Sequence, residues 1–271
     1  MINETSPPVV FIIIINWNGY EYSRACLTSL KNVVYPFQCI MVDNGSTDQS
    51  VIKLSNEFPN VTFIETGKNL GFTGGNNVGI GHALHIGADY ILLLNNETIV
   101  ANICLTPLIN FMESDEQIAA VNPKIYFEDV DGQKNIIWAA GGEANLKLAK
   151  SNNRGRGRVD SGQFDSISTV SFATGCCLLM RATVIREIGL LTESYFAYFE
   201  DTDWSFRAKA NGFSIKYYPH THIWHAVGKS SQRKNGNSQK TSLNPLVHYL
   251  AARNQLWQIR KHSCLYHHQK G

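Results

Sequence analysis

The sequence predicts an α/β fold with a mostly parallel central sheet flanked by helices, and three observations predict it. Val9-Val-Phe-Ile-Ile-Ile-Ile15 is a continuous, largely β-branched run, the pattern of a strand covered on both faces. Three more short apolar runs, Gln38–Val42, Val61–Ile64 and Tyr90–Leu94, follow at spacings that leave room for a helix between them, as right-handed parallel crossovers require. Each run is followed by polar residues: Asn16-Trp17-Asn18, Asp43-Asn44, Asn69, and Asn95-Asn96-Glu97. Open α/β sheets bind ligands at the carboxyl ends of their strands, so these four ends define the candidate site.

The intervening elements follow in order. Glu21–Lys31 has helical spacing through Tyr22, Cys26, Leu27 and Leu30. After Asp43-Asn-Gly-Ser-Thr-Asp48, Ser46 or Thr47 caps a helix to about Phe58. A loop holding Asn69, Gly71, Gly74 and Gly75 leads to a helix over Asn76–Ile86. Beyond residue 100 come a helix at Leu105–Met112, a strand at Ala119–Phe127 interrupted by Pro123, a turn at Asp129–Gly132, and Ile136–Ala140 leading to Gly141-Gly142. Lys147–Ser166 reads as a polar loop, Val170–Met180 as a strand and Ala182–Ile188 as a short helix. Phe213–Tyr218 is a strand, Pro219–His225 a polar connection, and Ser230–Thr241 a glycine-rich loop. Pro245–Lys261 reads as an amphipathic helix with Leu246, Tyr249, Leu250, Leu256, Trp257 and Ile259 as its apolar positions. It is expected to pack on the domain, with a membrane surface as the alternative.

Composition narrows the function. The 271 residues carry a net charge of +2, with 44% hydrophobic and 17% charged residues. That is an ordinary globular balance, with no charge asymmetry to dictate a nucleic-acid partner. Arg154-Gly-Arg-Gly-Arg158 is locally basic, and its glycines suggest a mobile, solvated loop, with phosphate contact as the alternative. Cys26, Cys39, Cys104, Cys176, Cys177 and Cys264 show no metal spacing and read as reduced cysteines of a cytosolic protein. The run at Val9 is too short to cross a bilayer and lacks a basic leader. The glycine loop does not match G-x-G-x-x-G, because its G-x-G is Gly79-Ile-Gly81 with Leu84 at the third position, which disfavours a hydride-transferring dinucleotide enzyme.

The chemistry-bearing stretch is Tyr195-Phe-Ala-Tyr-Phe-Glu-Asp-Thr-Asp-Trp-Ser-Phe-Arg207. An aromatic run leads into a helix whose first turn holds Glu200, Asp201 and Asp203, stopped by Gly212. The helix dipole favours acids there. Aromatic neighbours desolvate them, which suits a carboxylate to proton transfer. Asp203 and Arg207 have the spacing of a helical ion pair. The aromatic run itself reads equally as an acceptor-pocket lining and as core. His220, His222 and His225 form a zinc alternative that lacks a fourth ligand.

Several motifs then fall in sequence. Asn16-Trp-Asn-Gly19, Val42-Asp-Asn-Gly-Ser-Thr-Asp48, Asn69-Leu-Gly-Phe-Thr-Gly-Gly-Asn76 and Leu92-Leu-Leu-Asn-Asn-Glu-Thr98 precede Thr174-Gly175, Tyr195–Arg207, His225-Ala-Val-Gly228 and Tyr249–Asn254 with its Arg-Asn pair. Over essentially the whole chain this resembles the family 2 glycosyltransferases with the GT-A fold, in particular their bacterial rhamnosyltransferase-like branch. The resemblance implies inverting transfer of a sugar, rhamnose from dTDP-rhamnose first, from a nucleotide-diphosphate donor to a cell-surface polysaccharide or lipid-linked precursor. It implies a divalent metal, Mg or Mn, and a cytoplasmic enzyme able to work at the inner face of the membrane. It makes 1–271 one domain: 1–100 a nucleotide-binding half, 101–230 an acceptor and catalytic half, and 231–271 a C-terminal loop and helix.

Carried over by residue, Asp43 matches the acid that binds the base, with Asn16 beside it and Trp17 covering it. Asn69 matches a donor contact. Asn95-Asn96-Glu97 stands where the family has its D-x-D-like motif, with Glu97 and His225 as metal ligands. Asp201, paired with Glu200, matches the general base. Glu97 is one methylene longer than the usual aspartate and Asn95 and Asn96 are neutral, so the site carries little anionic charge. Leu190-Leu-Thr-Glu193 replaces Gly-Phe-Asp-Glu, read as a variation at a helix end. Galactofuranosyl or other hexosyl transfer from UDP, and a weakly active nucleotide-sugar-binding protein, are the alternatives.

Overall fold

The computed structural model describes residues 6–145, 150–226 and 245–262. Its elements are β1 (Val10–Asn16), α1 (Tyr20–Leu30), β2 (Gln38–Asp43), α2 (Ser50–Glu57), β3 (Thr62–Glu65), α3 (Gly71–His85), β4 (Tyr90–Asn95) and β5 (Thr98–Val100). The second half adds α4 (Leu105–Glu113), β6 (Ile118–Phe127), β7 (Ile137–Ala139), β8 (Gly142–Asn145), β9 (Lys150–Asn153), β10 (Ser168–Thr169), β11 (Cys177–Arg181) and α5 (Ala182–Ile188). It closes with α6 (Glu200–Ala210), β12 (Ser214–His225) and α7 (Pro245–His262).

One ten-stranded sheet runs through both halves in the order β10-β12-β6-β11-β4-β1-β2-β3, with β5 on β12 and β7 on β6. The first four strands are mutually parallel. β11 is antiparallel to both β4 and β6, while β6 and β12 are parallel again, so the complete sheet is mixed. β1 explains why a both-face apolar run was needed. Val10, Ile12 and Ile14 join the α1, α2 and α4 side through Cys26, Leu27, Leu54 and Leu108. Phe11 and Ile13 join the α3, α5 and α6 side through Ile80, Ile185 and Trp204.

Several expectations are corrected. No side chain caps α2, whose N-cap is Gln49 in the left-handed region; Asp48 Oδ1 accepts from Ser50 N instead. α3 begins at Gly71, five residues before the predicted start, so Gly74 and Gly75 are helical. These glycines trade helix propensity for close approach: a Cβ at Gly79 would stand 2.5 Å from Ile13 Cγ2. Pro123 does not break β6, and Pro219 does not end β12, where a bulge between Tyr218 and His222 absorbs it. The strand predicted over Val170–Met180 is regular only from Cys177, because Gly175-Cys176 is a turn. Near the start of the predicted polar loop is β9, which pairs antiparallel with β8 just before it. The Ser230–Thr241 loop lies outside the described residues.

Arg154–Arg158 is built into the fold. Its backbone is bonded alongside β7 through Ala140 N to Arg154 O, Ile137 N to Arg158 O and Gly157 N to Ile137 O, each 2.8–2.9 Å. The Arg154 guanidinium sits against the Phe164 and Tyr217 rings. In the terminal helix the expected apolar face is not the packed one. α7 buries Leu250, Asn254, Gln258 and His262, and leaves Leu246, Tyr249, Leu256 and Trp257 exposed. Five free cysteines are buried, and Cys264 lies outside the described residues.

Candidate active site

At the carboxyl ends of β1 and β2, Asn16 is fully buried and ties four elements together. Its amide nitrogen donates to Asp43 Oδ1 at 2.9 Å and Ser50 Oγ at 2.7 Å, and its oxygen accepts from Ser23 Oγ at 2.7 Å. Asn16 has no exposed surface, and here its side chain holds Asp43. Asp43 Oδ2 accepts from Ser46 N at 2.9 Å, which leaves the carboxylate fixed and nearly buried. Trp17 next door is 48% exposed, a free ring at the mouth of this corner. Asn69 Oδ1 accepts from Gly71 N and from Asn44 Nδ2, so the side chain shapes its own loop while remaining exposed.

The second corner lies where β4, β5 and β12 meet. β5 pairs with β12 so that Thr98 faces His225, and Ala226 N donates to Glu97 O at 2.8 Å. Glu97 and His225 are 7% and 5% exposed. His225 Nε2 lies 3.5 Å from Asn95 Nδ2, and its Nδ1 is buried with no partner among the described residues. Burial, helped by the nearby Arg156 charge, pushes this imidazole down to about 4, so it is neutral at physiological pH, the state that ligates metals. Asn96 turns away and donates to Ser23 Oγ at 3.0 Å.

A neutral histidine with an orphaned nitrogen beside a buried carboxylate fits a hard divalent cation that takes its other ligands from phosphate and water. No group of three His, Cys, Asp or Glu able to hold a metal occurs among the described residues. The zinc alternative also fails on strand parity: His225 points inward along β12, and His220 and His222 lie on the other face, packed on Tyr218 and Trp224.

The third group is the acid pair at the start of α6. Asp201 Oδ2 accepts from Gly175 N at 2.9 Å and Oδ1 from Thr202 N at 2.6 Å. The Gly175 turn is itself held by the fully buried Asn122, whose Oδ1 accepts from Thr174 N and whose amide donates to Thr174 O at 3.0 Å. Burial raises both acids. Glu200 goes well above the carboxylate range, with the Asp201 charge adding to it, whereas the Gly175 and Thr202 N–H groups pull Asp201 back. Glu200 Oε2 is buried and unpartnered. In this pair burial and the neighbouring charge push Glu200 up, while backbone N–H donors favour the charged form of Asp201.

Two residues connect the corners. Asn95 N donates to Cys176 O at 2.9 Å, while Gly175 N holds Asp201, so one dipeptide joins the Asn-Asn-Glu segment to the acid pair. The Cys176 thiol, raised chiefly by burial, feels both Glu97 and Asp201. Tyr198, 40% exposed, is raised by burial and then by the Glu200 and Glu97 charges. The aromatic run thus divides: Tyr195 is core and Tyr198 is exposed.

Sequence reasoning placed phosphate contact by the Arg154–Arg158 run second to a solvated loop and did not single out Arg156. Its guanidinium lies over Phe127 and Trp138, and Trp138 meets His225 edge to face at 4.7 Å. It makes no side-chain hydrogen bond or ion pair with the described residues. The signal available in the sequence was the Arg-Gly alternation, whose reading as a solvated loop hid it.

A ten-stranded mixed sheet with the site at its carboxyl ends defines the class, and structural likeness confirms it as GT-A. The chain superposes on GalNAc-T7, solved with UDP, GalNAc and Mn2+, with a TM-score of 0.67 and 14% identity, covering 82% of this chain and 44% of that one. Residues 11–189 match the family model described as glycosyl transferase family 2, and the chain belongs to that family. It is 24% identical over 253 residues to the dTDP-rhamnosyl transferase RfbF of Shigella flexneri, covering 93% of this chain and 80% of that protein. It is 24% identical over 238 residues to the N-acetylglucosaminyl-diphospho-decaprenol L-rhamnosyltransferase of Mycobacterium tuberculosis, covering 82% of this chain and 77% of that one.

Proposed function

We propose that this chain is an inverting glycosyltransferase that moves rhamnose from dTDP-rhamnose to a cell-surface polysaccharide or lipid-linked precursor. The observation that carries the reading is the Gly175-Cys176 bridge, which ties the base candidate Asp201 to the strand end that leads into the Glu97–His225 corner. The similarity to two rhamnosyltransferases supports the sugar.

In this reading residues 1–100 bind the nucleotide and the later half binds the acceptor. Asp43 meets the base and Trp17 covers it. Asn69, Asn95 and Asn96 line the donor side, the last two as neutral amides. Glu97 and His225 would hold Mg or Mn, which when bound neutralises the leaving diphosphate. Arg156 supplies a fixed positive charge to the same phosphates, which offsets the shortage of acids in Asn95-Asn96-Glu97. Asp201 takes the proton from the acceptor hydroxyl as its oxygen attacks the anomeric carbon. The bond to the diphosphate breaks on the opposite side, inverting the centre.

No helix among the described residues is long and apolar enough to cross a membrane. Peripheral attachment is carried by α7, which exposes Leu246, Tyr249, Leu256 and Trp257 beside Arg253, Arg260 and Lys261 and contains no acid. The first experiment is thermal stabilisation by a panel of nucleotide sugars with and without Mn2+, followed by release of nucleotide. A metal-enhanced shift with dTDP-rhamnose and dTDP release support the reading. A shift confined to UDP-sugars replaces the donor, and binding without turnover makes the chain a nucleotide-sugar-binding protein.

A further inference from the structure

Three of the five residues before the acid pair are held in a conformation that their side chains disfavour. Phe196, Tyr198 and Phe199 have φ of 63°, 70° and 73°, the left-handed region in which a Cβ crowds the backbone. Such backbone persists only where its surroundings over-determine it. Phe199 is also the N-cap of α6, so the turn sets the position of Glu200 and Asp201 directly.

The restraint comes from α7, more than fifty residues later in the chain. The Asn254 amide donates to Tyr195 O at 2.9 Å, Ala197 O at 2.8 Å and Tyr198 O at 2.9 Å. Arg253 fixes that amide the right way round, its Nε donating to Asn254 Oδ1 at 2.9 Å, and adds Nη2 bonds to Ser194 O and Tyr195 O at 3.0 Å. Asn254 is completely buried. From the other side Thr73 N donates to Phe196 O at 3.0 Å, and Gly71 leaves the space that a Cβ would take from that carbonyl. Apart from Leu250, the rest of the buried α7 face is also polar and grips the same region: Gln258 meets the Tyr195 hydroxyl at 3.3 Å and His262 Nε2 meets Asp203 Oδ1 at 2.7 Å.

A terminal helix that buries amide, amide and imidazole where leucines would serve adhesion better is specified for direction. We propose that Asn254, oriented by Arg253, is a positioning residue for the transfer step, clamping the 195–199 turn in its strained form so that Asp201 stands where the acceptor hydroxyl must lose its proton. This rests on the reading of Asp201 as base. It also gives the Arg253-Asn254 pair a task that needs no contact with substrate.

The test uses the full chain with dTDP-rhamnose and Mn2+, reading dTDP release and, separately, dTDP affinity by calorimetry. Asn254→Ala is expected to lower kcat on the order of 10²-fold, the effect of a small misplacement of a reacting group, with dTDP affinity within about twofold of wild type. In an Asp201→Asn background the same change is expected to cost nothing further, because two residues acting through one step are not additive. Arg253→Lys, which frees the amide without deleting it, covers the case in which Asn254→Ala fails to fold, and is expected to show a smaller loss of the same kind. Wild-type kcat in a folded Asn254 or Arg253 variant, an equal loss of dTDP affinity, or a full further loss in the Asp201→Asn background overturns the proposal. The base assignment is read from Asp201→Asn alone, so its failure and the failure of the clamp appear in different variants.

Discussion

The backbone N–H of Gly175 meets Asp201 Oδ2 at 2.9 Å, and this single bond orients the carboxylate across the cleft from Glu97 and His225. With Thr202 N on its other oxygen, Asp201 is fixed from both ends before any acceptor arrives. Preorganisation of this kind is what a general base needs, since its reach must be set in advance.

Asp201→Asn keeps the shape and the Gly175 bond but cannot take a proton. Transfer is expected to fall about 10²–10⁴-fold, the usual worth of a general base, with dTDP affinity unchanged. Steady-state turnover and calorimetry on the same preparation check this, and near-wild-type turnover would move the base elsewhere.

Glu97→Ala removes the one acid of the Asn95-Asn96-Glu97 segment. Mn2+ should then no longer strengthen dTDP binding, and a titration of affinity against metal concentration reads the loss. Glu97→Asp is expected to retain the metal dependence, because a hard cation accepts either carboxylate. An unchanged metal response in Glu97→Ala would exclude this side chain as a ligand.

Arg156→Gln deletes a cation that lies over Trp138 on the His225 side of the cleft. Binding of dTDP is expected to weaken about tenfold, in line with loss of a charge-assisted hydrogen bond, while thymidine, which lacks phosphate, binds the variant and wild type alike. Equal loss for both ligands would mean that Arg156 shapes the pocket and does not read phosphate.

Asp203 is fully buried and receives Arg207, Lys261, His262 and Thr192. These partners overcome the effect of burial and depress its carboxyl below the ordinary range. Since the folded pKa is the lower one, its stabilisation is complete above the unfolded value of about 3.9. It is lost as pH falls from there toward the folded value. Asp203→Asn should therefore cost on the order of 3 kcal/mol at pH 7, the scale for breaking a buried ion pair. The difference in urea midpoint from wild type should narrow below about pH 4. A gap that stays constant down to pH 2 would contradict it.

The ion pair of Asp203 with Arg207 was legible, because i, i+4 spacing is a local property; its further partners on α7 were not, because they come from a different element. The same division runs through the site. Polar ends on β1, β2 and β4 marked the candidate site, since a strand buried on both faces stops being apolar where it meets solvent. Asn16 looked like part of that polar rim and turned out to be buried under it, because residue type does not report which polar groups satisfy one another. Arg156 looked solvated because its glycines conceal the backbone bonds to β7.

From the sequence by itself came the alternation of strands and helices, the carboxyl-end cleft and the acidic start of α6, all set by short-range periodicity and by the helix dipole. Tertiary structure decided the rest. It reversed the face on which α7 packs, carried β12 through Pro219, and forced Phe196, Tyr198 and Phe199 into a backbone region they avoid alone. The physical reason is common to all three. A buried polar group must find a partner wherever the fold supplies one. Asn254 finds its partners in carbonyls more than fifty residues away, a distance at which no local pattern carries information.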